Sequence, residues 1–517
     1  MDDTYDRILQ RIPVEHKTEA QIIFNLLAFS TRPITLGEAA EAAAIDLERG
    51  IFDSQDRLRD PSSILEICSS LVTLAPTGRR FAEDDSSKEL RFAHFSVKEY
   101  LQSDRVSQKG IQIVVREDSA HQQLSRLCLI YLLSINFYPF RSELPYLRYA
   151  SHNWYVHSQH VQLANNLAVL NLLSALFKSE NLPKIHNLLK LHSPDYGGNI
   201  GFSRLYLASF LGFTEICEEL LNATNKAQGG DEASYGNQPE EGIGSLQSGP
   251  EVNAQGGYFG TALQAASYQG HERIVRLLLQ SGARYGNALQ AASCQGHEGI
   301  VRLLLQSGAD INARGGFYGN ALQAASYHGH ERTVRLLLQS GADSNAQGGY
   351  FGTALQAASF RGHERTVRLL LQSGADINAQ GGYFGTALQA ASFRGHERTV
   401  RLLFQSGADI NAQGGFYGNA LQAASYHSHE RTVRLLLQSG ADINAQGGRY
   451  GNALQAASCQ SHEGIVRLLL QSGVDINAQG RTYGNALHVA QIRGDERILK
   501  LLLHSKADVH VQGGDSL

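Results

Sequence analysis

The sequence predicts a mainly α chain: an N-terminal winged helix, a helical spacer, and a C-terminal solenoid of about nine helix pairs. Three observations predict it. First, a 33-residue segment recurs almost unchanged through the C-terminal half, its clearest copy running from Thr353 to Gly385. Second, a His-Glu pair marks the period at His271, His297, His330, His363, His396, His429 and His462, with Asp495 at the next position. Every step is 33 residues except the 26 from His271 to His297. Fixed self-similarity of this length is the mark of stacked repeats rather than one closed core. Third, 517 residues are too many for a single core.

Each repeat reads as two helices and a finger. Thr353 or Asn419 opens a repeat as a helix N-cap. Ala354, Leu355, Ala357 and Ala358 form a short first helix that Gly362 ends. A second helix starts near His363, with Val367, Leu370 and Leu371 on one face. Gly374 stands at its left-handed C-cap. Asp376 to Ala379 leads out, and Gly381 to Gly385 turns back. The order, the GH turn and the LLLxxGADxNAQ ending resemble the ankyrin repeat, in eight copies starting at Thr261, Asn287, Asn320, Thr353, Thr386, Asn419, Asn452 and Asn485. The copies open TALQ or NALQ where that family reads TPLH, and carry Gly381 and Phe384 where its finger has Asp and Gly. The 26-residue step predicts a finger cut to a stub around Ala283, Arg284 and Tyr285, with both helices kept.

Residues 1–109 read as helices followed by a hairpin and a last helix, a winged-helix order. Helices are expected at Tyr5 to Ile12, Glu19 to Phe29, Pro33 to Ala44 and Pro61 to Leu71. Strands are expected at Leu71 to Leu74 and Leu90 to Ala93, joined through a charged tip at Arg79 to Lys88, before a helix at Ser96 to Gln102. The segments TYDRILQRI, RPITLGEAAEAAAI and FAHFSVKEYL resemble the winged-helix segment of fungal NACHT-type (STAND, NLR-like) signalling ATPases. That resemblance implies an NTPase supplied upstream or in another chain, since no GxxxxGK[ST] occurs in the 517 residues. It also implies that His94, of the F-x-H-x-S motif, senses nucleotide phosphate if such an NTPase is present; by its position alone His94 caps or packs the hairpin–helix junction.

Residues 110–202 predict a helical spacer capping the solenoid, with helices at Ala120 to Ser134, Tyr146 to His157, Leu167 to Phe177 and Leu182 to Leu191. Residues 203–222 read as a degenerate first repeat, 223–257 as a flexible Gly-, Ser- and Glu-rich insertion, and 258–517 as the eight repeats.

Composition narrows the function. A net charge of −4 gives no basic footprint for nucleic acid. Residues 1–109 hold 14 Lys and Arg against 19 Asp and Glu, a net of −5, which disfavours DNA binding through the winged helix. Five scattered cysteines fit a reducing, intracellular and cytoplasmic setting. The N-terminus lacks an apolar signal region and no run spans a bilayer. No nucleophile elbow occurs, and the terminal Gly514-Asp515-Ser516-Leu517 has no room for a following helix, so the chain reads as a non-enzyme without cofactor. His152, His157 and His160 lie near Trp154, but no acidic or Cys ligand joins them in sequence, and no metal is expected. The repeated His reads as a fixture of the inter-helix turn.

Function is therefore expected where the copies differ. Their fingers carry Tyr350, Phe351, Tyr383, Phe384, Phe416, Tyr417, Arg449, Tyr450 and the Thr482-Tyr483 pair. Their first helices end in Phe360, Arg361, Phe393, Arg394 and Tyr426. Tyr, Phe and Arg are types enriched at binding hot spots. The expectation is a protein partner held on the concave face, coupled to the winged helix of a NACHT-type receptor; a free-standing scaffold is the alternative.

Overall fold

The computed structural model describes residues 2–53, 55, 60–76, 85–109, 111–135, 144–190, 203–228, 252–480 and 484–508. Most of the hairpin tip at 79–88, most of the 223–257 insertion, Thr482-Tyr483 and the last four residues lie outside them. The chain divides into two compact bodies: residues 1–251 with 255–258, and 252–254 with 259–517.

In the first body, helices Asp2–Arg11, Lys17–Phe29, Leu36–Ala43 and Ser63–Ile67 precede a small antiparallel sheet and the helix Phe95–Gln102. The sheet places Glu89–Phe92 between Ile34–Thr35 and Val72–Ala75, with Leu74 opposite Leu90. Thr35 starts its helix with a capping box, its hydroxyl accepting from Glu38 N while Glu38 Oε2 accepts from Thr35 N at 3.0 Å. The winged-helix order expected from sequence is present. An unexpected two-residue hairpin pairs Ile45–Asp46 with Ile51–Phe52, too short to leave a periodic signal.

The boundary expected at residue 109 does not separate two bodies. Helix Glu117–Ser134 is buried on most of its faces and lies against Lys17–Phe29. Gln21 exchanges two 3.0 Å hydrogen bonds with the Val114 backbone, and Asn25 donates to Gln123 at 2.7 Å. Glu41 accepts from Tyr131 Oη at 2.9 Å and Tyr146 N at 2.6 Å. A buried carboxylate is retained only when bonded in this way. Helices Pro145–Gln159, Leu167–Lys178 and Asn181–Lys190 complete the layer. The helix pair Arg204–Leu211 and Thr214–Gln228 also belongs to this body, where Phe213 meets Trp154 and Phe177 at ring centroids of 5.9 and 6.2 Å. The helix pair expected to be a degenerate repeat thus packs on an aromatic core within the first body.

The second body stacks eight helix pairs, from Ala262–Gln269 with Glu272–Gln280 to Ala486–Arg493 with Glu496–His504. The repeat's Gln explains the altered opening motif. Gln356 Oε1 accepts from Thr353 N at 2.6 Å, closing a capping box. Its Nε2 donates to Ala379 O, Gly381 O and Gly385 O at 3.1, 3.3 and 2.6 Å. One amide therefore starts a helix and shares its two N–H donors among three carbonyls of the finger that follows. Gln323 and Gln389 make the corresponding Nε2 bonds, and Gln389 Oε1 also accepts from Thr386 N at 2.7 Å.

The repeated His joins repeats rather than fixing its own turn. His363 Nε2 lies 3.0 Å from Tyr327 O, and His396 Nε2 lies 3.0 Å from Phe360 O, each a carbonyl at the end of the preceding first helix. The ring passes over a glycine: Gly362 is left-handed at φ +73, and a Cβ there would come within 2.7 Å of His396. Where His gives way to Asp495, the glycine of the preceding repeat gives way to Ser461, which hydrogen-bonds that carboxylate. Asp495 also caps its own helix, accepting from Arg497 N and Ile498 N. In the 26-residue repeat, Thr261 to Gly286, the finger is a stub and both helices remain, while Asn287, which opens the next repeat, makes no side-chain cap bond.

One buried site varies between Ile and Thr. Ile274, Ile300, Ile465 and Ile498 occupy it near the ends, Thr333, Thr366, Thr399 and Thr432 in the middle. The hydroxyls of Thr333, Thr366 and Thr399 have no hydrogen-bond partner. Copying the ends into the middle, with Thr333→Ile, Thr366→Ile and Thr399→Ile, should stabilise the array by roughly 1 kcal/mol per site. Urea unfolding measures it; a loss of stability would mean that those hydroxyls are bonded.

Candidate interaction face

The variable residues of neighbouring repeats form three rows of rings. The outermost row lies at the finger tips. Phe317, Tyr350, Tyr383 and Phe416 stack with centroids 5.3, 5.2 and 5.0 Å apart and interplanar angles of 15–18°. The Arg449 guanidinium ends the row, 5.5 Å from the Phe416 ring. The backbone is in the same register, Tyr350 N donating to Phe317 O, Tyr383 N to Tyr350 O and Phe416 N to Tyr383 O at 2.9–3.0 Å. Each finger tip is thus tied to the next by one amide, as neighbouring strands are.

The middle row is buried. Phe351 and Phe384 stack 6.2 Å apart, as do Tyr417 and Tyr450 at 6.1 Å. Their exposures are 1%, 2%, 5% and 8%. These four were expected to meet a partner; the structure gives them to packing, because successive finger residues point to opposite sides and the second falls between finger and helix.

The third row lies at the first-helix ends. Tyr327, Phe360 and Phe393 stack at 6.2 and 5.8 Å, all half-buried. Arg361 and Arg394 are exposed and lie over the Tyr327 and Phe360 rings at 5.0 and 5.1 Å. Tyr426 is half-buried and stacks on Tyr450 at 4.4 Å. Of the residues singled out by sequence, Tyr350, Arg361, Arg394 and Arg449 are exposed, and Phe360, Tyr383, Phe393, Phe416 and Tyr426 are partly so.

Equivalent rings are 5.0–5.3 Å apart at the tips and 5.8–6.2 Å apart at the first-helix ends.

His328 and His427 sit within the rows. His328 Nε2 lies 2.9 Å from Tyr318 Oη, and His427 Nε2 lies 3.2 Å from Tyr417 Oη. Burial pushes both down to about 4, with the neighbouring His330 or His429 the next cause. In the first body, His94 is exposed and caps the helix Phe95–Gln102, its Nδ1 accepting from Ser96 N at 3.2 Å. That is the capping position read from sequence. All five cysteines are buried and free. Among the described residues no helix is long and apolar enough to cross a membrane.

With this geometry in place, comparison with known proteins assigns the class. Models described as ankyrin repeats match residues 232–315, 321–366, 355–404, 380–447 and 421–513. The model described as "GPI inositol-deacylase, winged helix domain" matches residues 5–112. The chain therefore carries a winged-helix domain followed by ankyrin repeats. Among curated proteins it is 32% identical over 310 residues to "Azaphilone pigments biosynthesis cluster protein L" of Monascus ruber, covering 55% of this chain and 59% of that one. The chain thus spans somewhat over half the length of that relative. Among solved structures, the human ASB11 ankyrin repeat domain aligns with 24% identity and a TM-score of 0.37, over 43% of this chain and 98% of that one.

The packing assignment predicts a contrast within one finger. Phe351→Ala, 1% exposed, should cost about 3–5 kcal/mol, and Tyr350→Ala, at the 39% exposed tip, no more than about 1 kcal/mol. Equal losses in denaturant melts would contradict it. A second prediction follows from the histidines. Held below the ordinary 6.5, His328 and His427 stabilise the fold while neutral. Their contribution is complete above pH 6.5 and is lost as pH falls toward about 4. Replacing both with Gln, the residue at the equivalent Gln295 and Gln460, should flatten the fall in stability between pH 7 and 4.5 relative to wild type. Parallel slopes would contradict the assignment.

Proposed function

We propose that the array holds a protein partner on its inner face, between the finger tips and the first-helix ends. Ankyrin repeats support a protein–protein interaction module, and the residues argue for where and how. The observation that carries the reading is the arginine series. Arg361, Arg394 and Arg449 are exposed, yet each guanidinium lies over a ring of the preceding repeat. A cation held flat on a ring is preordered, so less side-chain entropy is lost when its remaining N–H groups bond a partner. The rows between them supply aromatic contact area of the kind that dominates interfaces.

We further propose that the N-terminal body is the signalling end of a NACHT-type receptor, relaying occupancy of the array to an NTPase in a longer form or another chain. The winged-helix match over residues 5–112 supports it. In that setting the exposed His94 is the group that would meet nucleotide phosphate.

The test is capture by the full chain. Arg361→Glu, Arg394→Glu and Tyr350→Ser together should reduce binding of a wild-type partner at least tenfold, because truncated hot spots cost about 2 kcal/mol or more each. The thermal melt should be nearly unchanged. Undiminished capture by this variant sinks the inner-face assignment.

A further inference from the structure

The first body brings together side chains that stand far apart in sequence. Glu117 and His121 lie one helical turn apart on helix Glu117–Ser134, and His160 caps the C-terminus of helix Pro145–Gln159. A carboxylate oxygen of Glu117 and one ring nitrogen of each His lie within 4.8 Å of one another. The sequence reading found no acidic partner for His160, because the partner comes from a helix about 40 residues earlier.

We propose that Glu117, His121 and His160 form a divalent transition-metal site with Zn2+ as the best-suited ion. The chemistry of the set is two imidazoles and one carboxylate, a combination used for zinc with a further position open to water. His121 is buried, while Glu117 and His160 are exposed, so the ion would sit at the protein surface with one fixed ligand and two adjustable ones.

What distinguishes this cluster from a chance grouping is the support behind the buried ligand. His121 Nδ1 lies 2.9 Å from His157 Nδ1, and His157 Nε2 lies 2.7 Å from Tyr149 Oη. His157 is fully buried. The pairing distances fit one tautomer that serves a metal: when His157 donates Nε2–H to Tyr149, its Nδ1 accepts from His121 Nδ1–H. His121 Nε2 is then the unprotonated nitrogen, the form a metal requires. A ligand imidazole whose second nitrogen is bonded inward is the arrangement that fixes tautomer and ring orientation at metal centres. Phe29 packs against the His121 ring at 5.5 Å and limits its rotation further.

The His160 ring now lies stacked on His121, with centroids 4.0 Å apart and planes at 11°. Two ligands at ~2.1 Å from a tetrahedral ion stand roughly 3.4 Å apart. Closing from within 4.8 Å needs only side-chain rotation by His160 and Glu117, both exposed and able to turn. The bound ion would join the start of one helix to the end of its neighbour, locking the pair at one end.

The experiment uses the full chain and Zn2+ alone. Calorimetric titration of metal-stripped wild type should show a tight site that Glu117→Gln with His160→Gln weakens at least tenfold. Zn2+ should raise the melting temperature of wild type and not of the double variant. Both substituted residues are exposed, so the metal-free melts should coincide. Co2+ substitution adds a readout independent of stability, since its visible absorption reports nitrogen and oxygen ligands and should vanish in the variant. Equal Zn2+ affinity in both proteins, or no binding by wild type, would overturn the proposal.

Discussion

The array depends on one side-chain amide in each repeat from Gln290 to Gln455. A finger of Gly-Gly-aromatic-aromatic-Gly has little to bury on its own and several carbonyls to satisfy. Gln356 meets that need from the preceding helix, donating to Ala379 O, Gly381 O and Gly385 O while its Oε1 holds Thr353 N. The finger can therefore be glycine-rich without being free to wander. With the fingers fixed at one register, amide-to-carbonyl bonds link tip to tip from Phe317 to Arg449. The ring rows follow from that register.

Division of labour within each finger is the functional consequence. Tyr350 and Tyr383 stand at the tips, while Phe351 and Phe384 fill the seam between finger and first helix. The His clamps hold the opposite end of each seam by bonding the preceding helix's last carbonyls. Between them, a repeat can change its outward residue without disturbing its neighbour's packing. Tyr for Phe at the tips and Arg for His at the helix ends are substitutions that fall where this freedom exists, while the buried row also exchanges Phe351 and Phe384 for Tyr417 and Tyr450.

Much of the fold was legible because repetition aligns the chain with itself. The cap at Thr353, the left-handed Gly374 and the stub after Gln280 could all be read from one template. What could not be read was the direction of neighbouring side chains. Phe384 and Tyr383 are equally aromatic in sequence, and only the pleat of the finger tells which is buried. The His was assigned to its own turn, but its acceptor is 36 residues earlier, visible only once repeats are stacked. In the first body the packing across residue 109 is illegible in the sequence for a related reason. Nothing local marks Gln21 and Asn25 as partners of Val114 and Gln123, because tertiary contacts set that core. The Glu117, His121 and His160 grouping was hidden in the same way.

The claim that the amide organises the inner face is tested most directly by hydrogen exchange on Gln356→Ala in the full chain. The account predicts lost protection at Gly381, Tyr383 and Gly385, whose amides bond within and between fingers, with the amides of the second helix Glu364–Gln372 unchanged. Unaltered protection at those three amides would contradict it, since the finger would then hold its shape without the side chain that bonds its carbonyls.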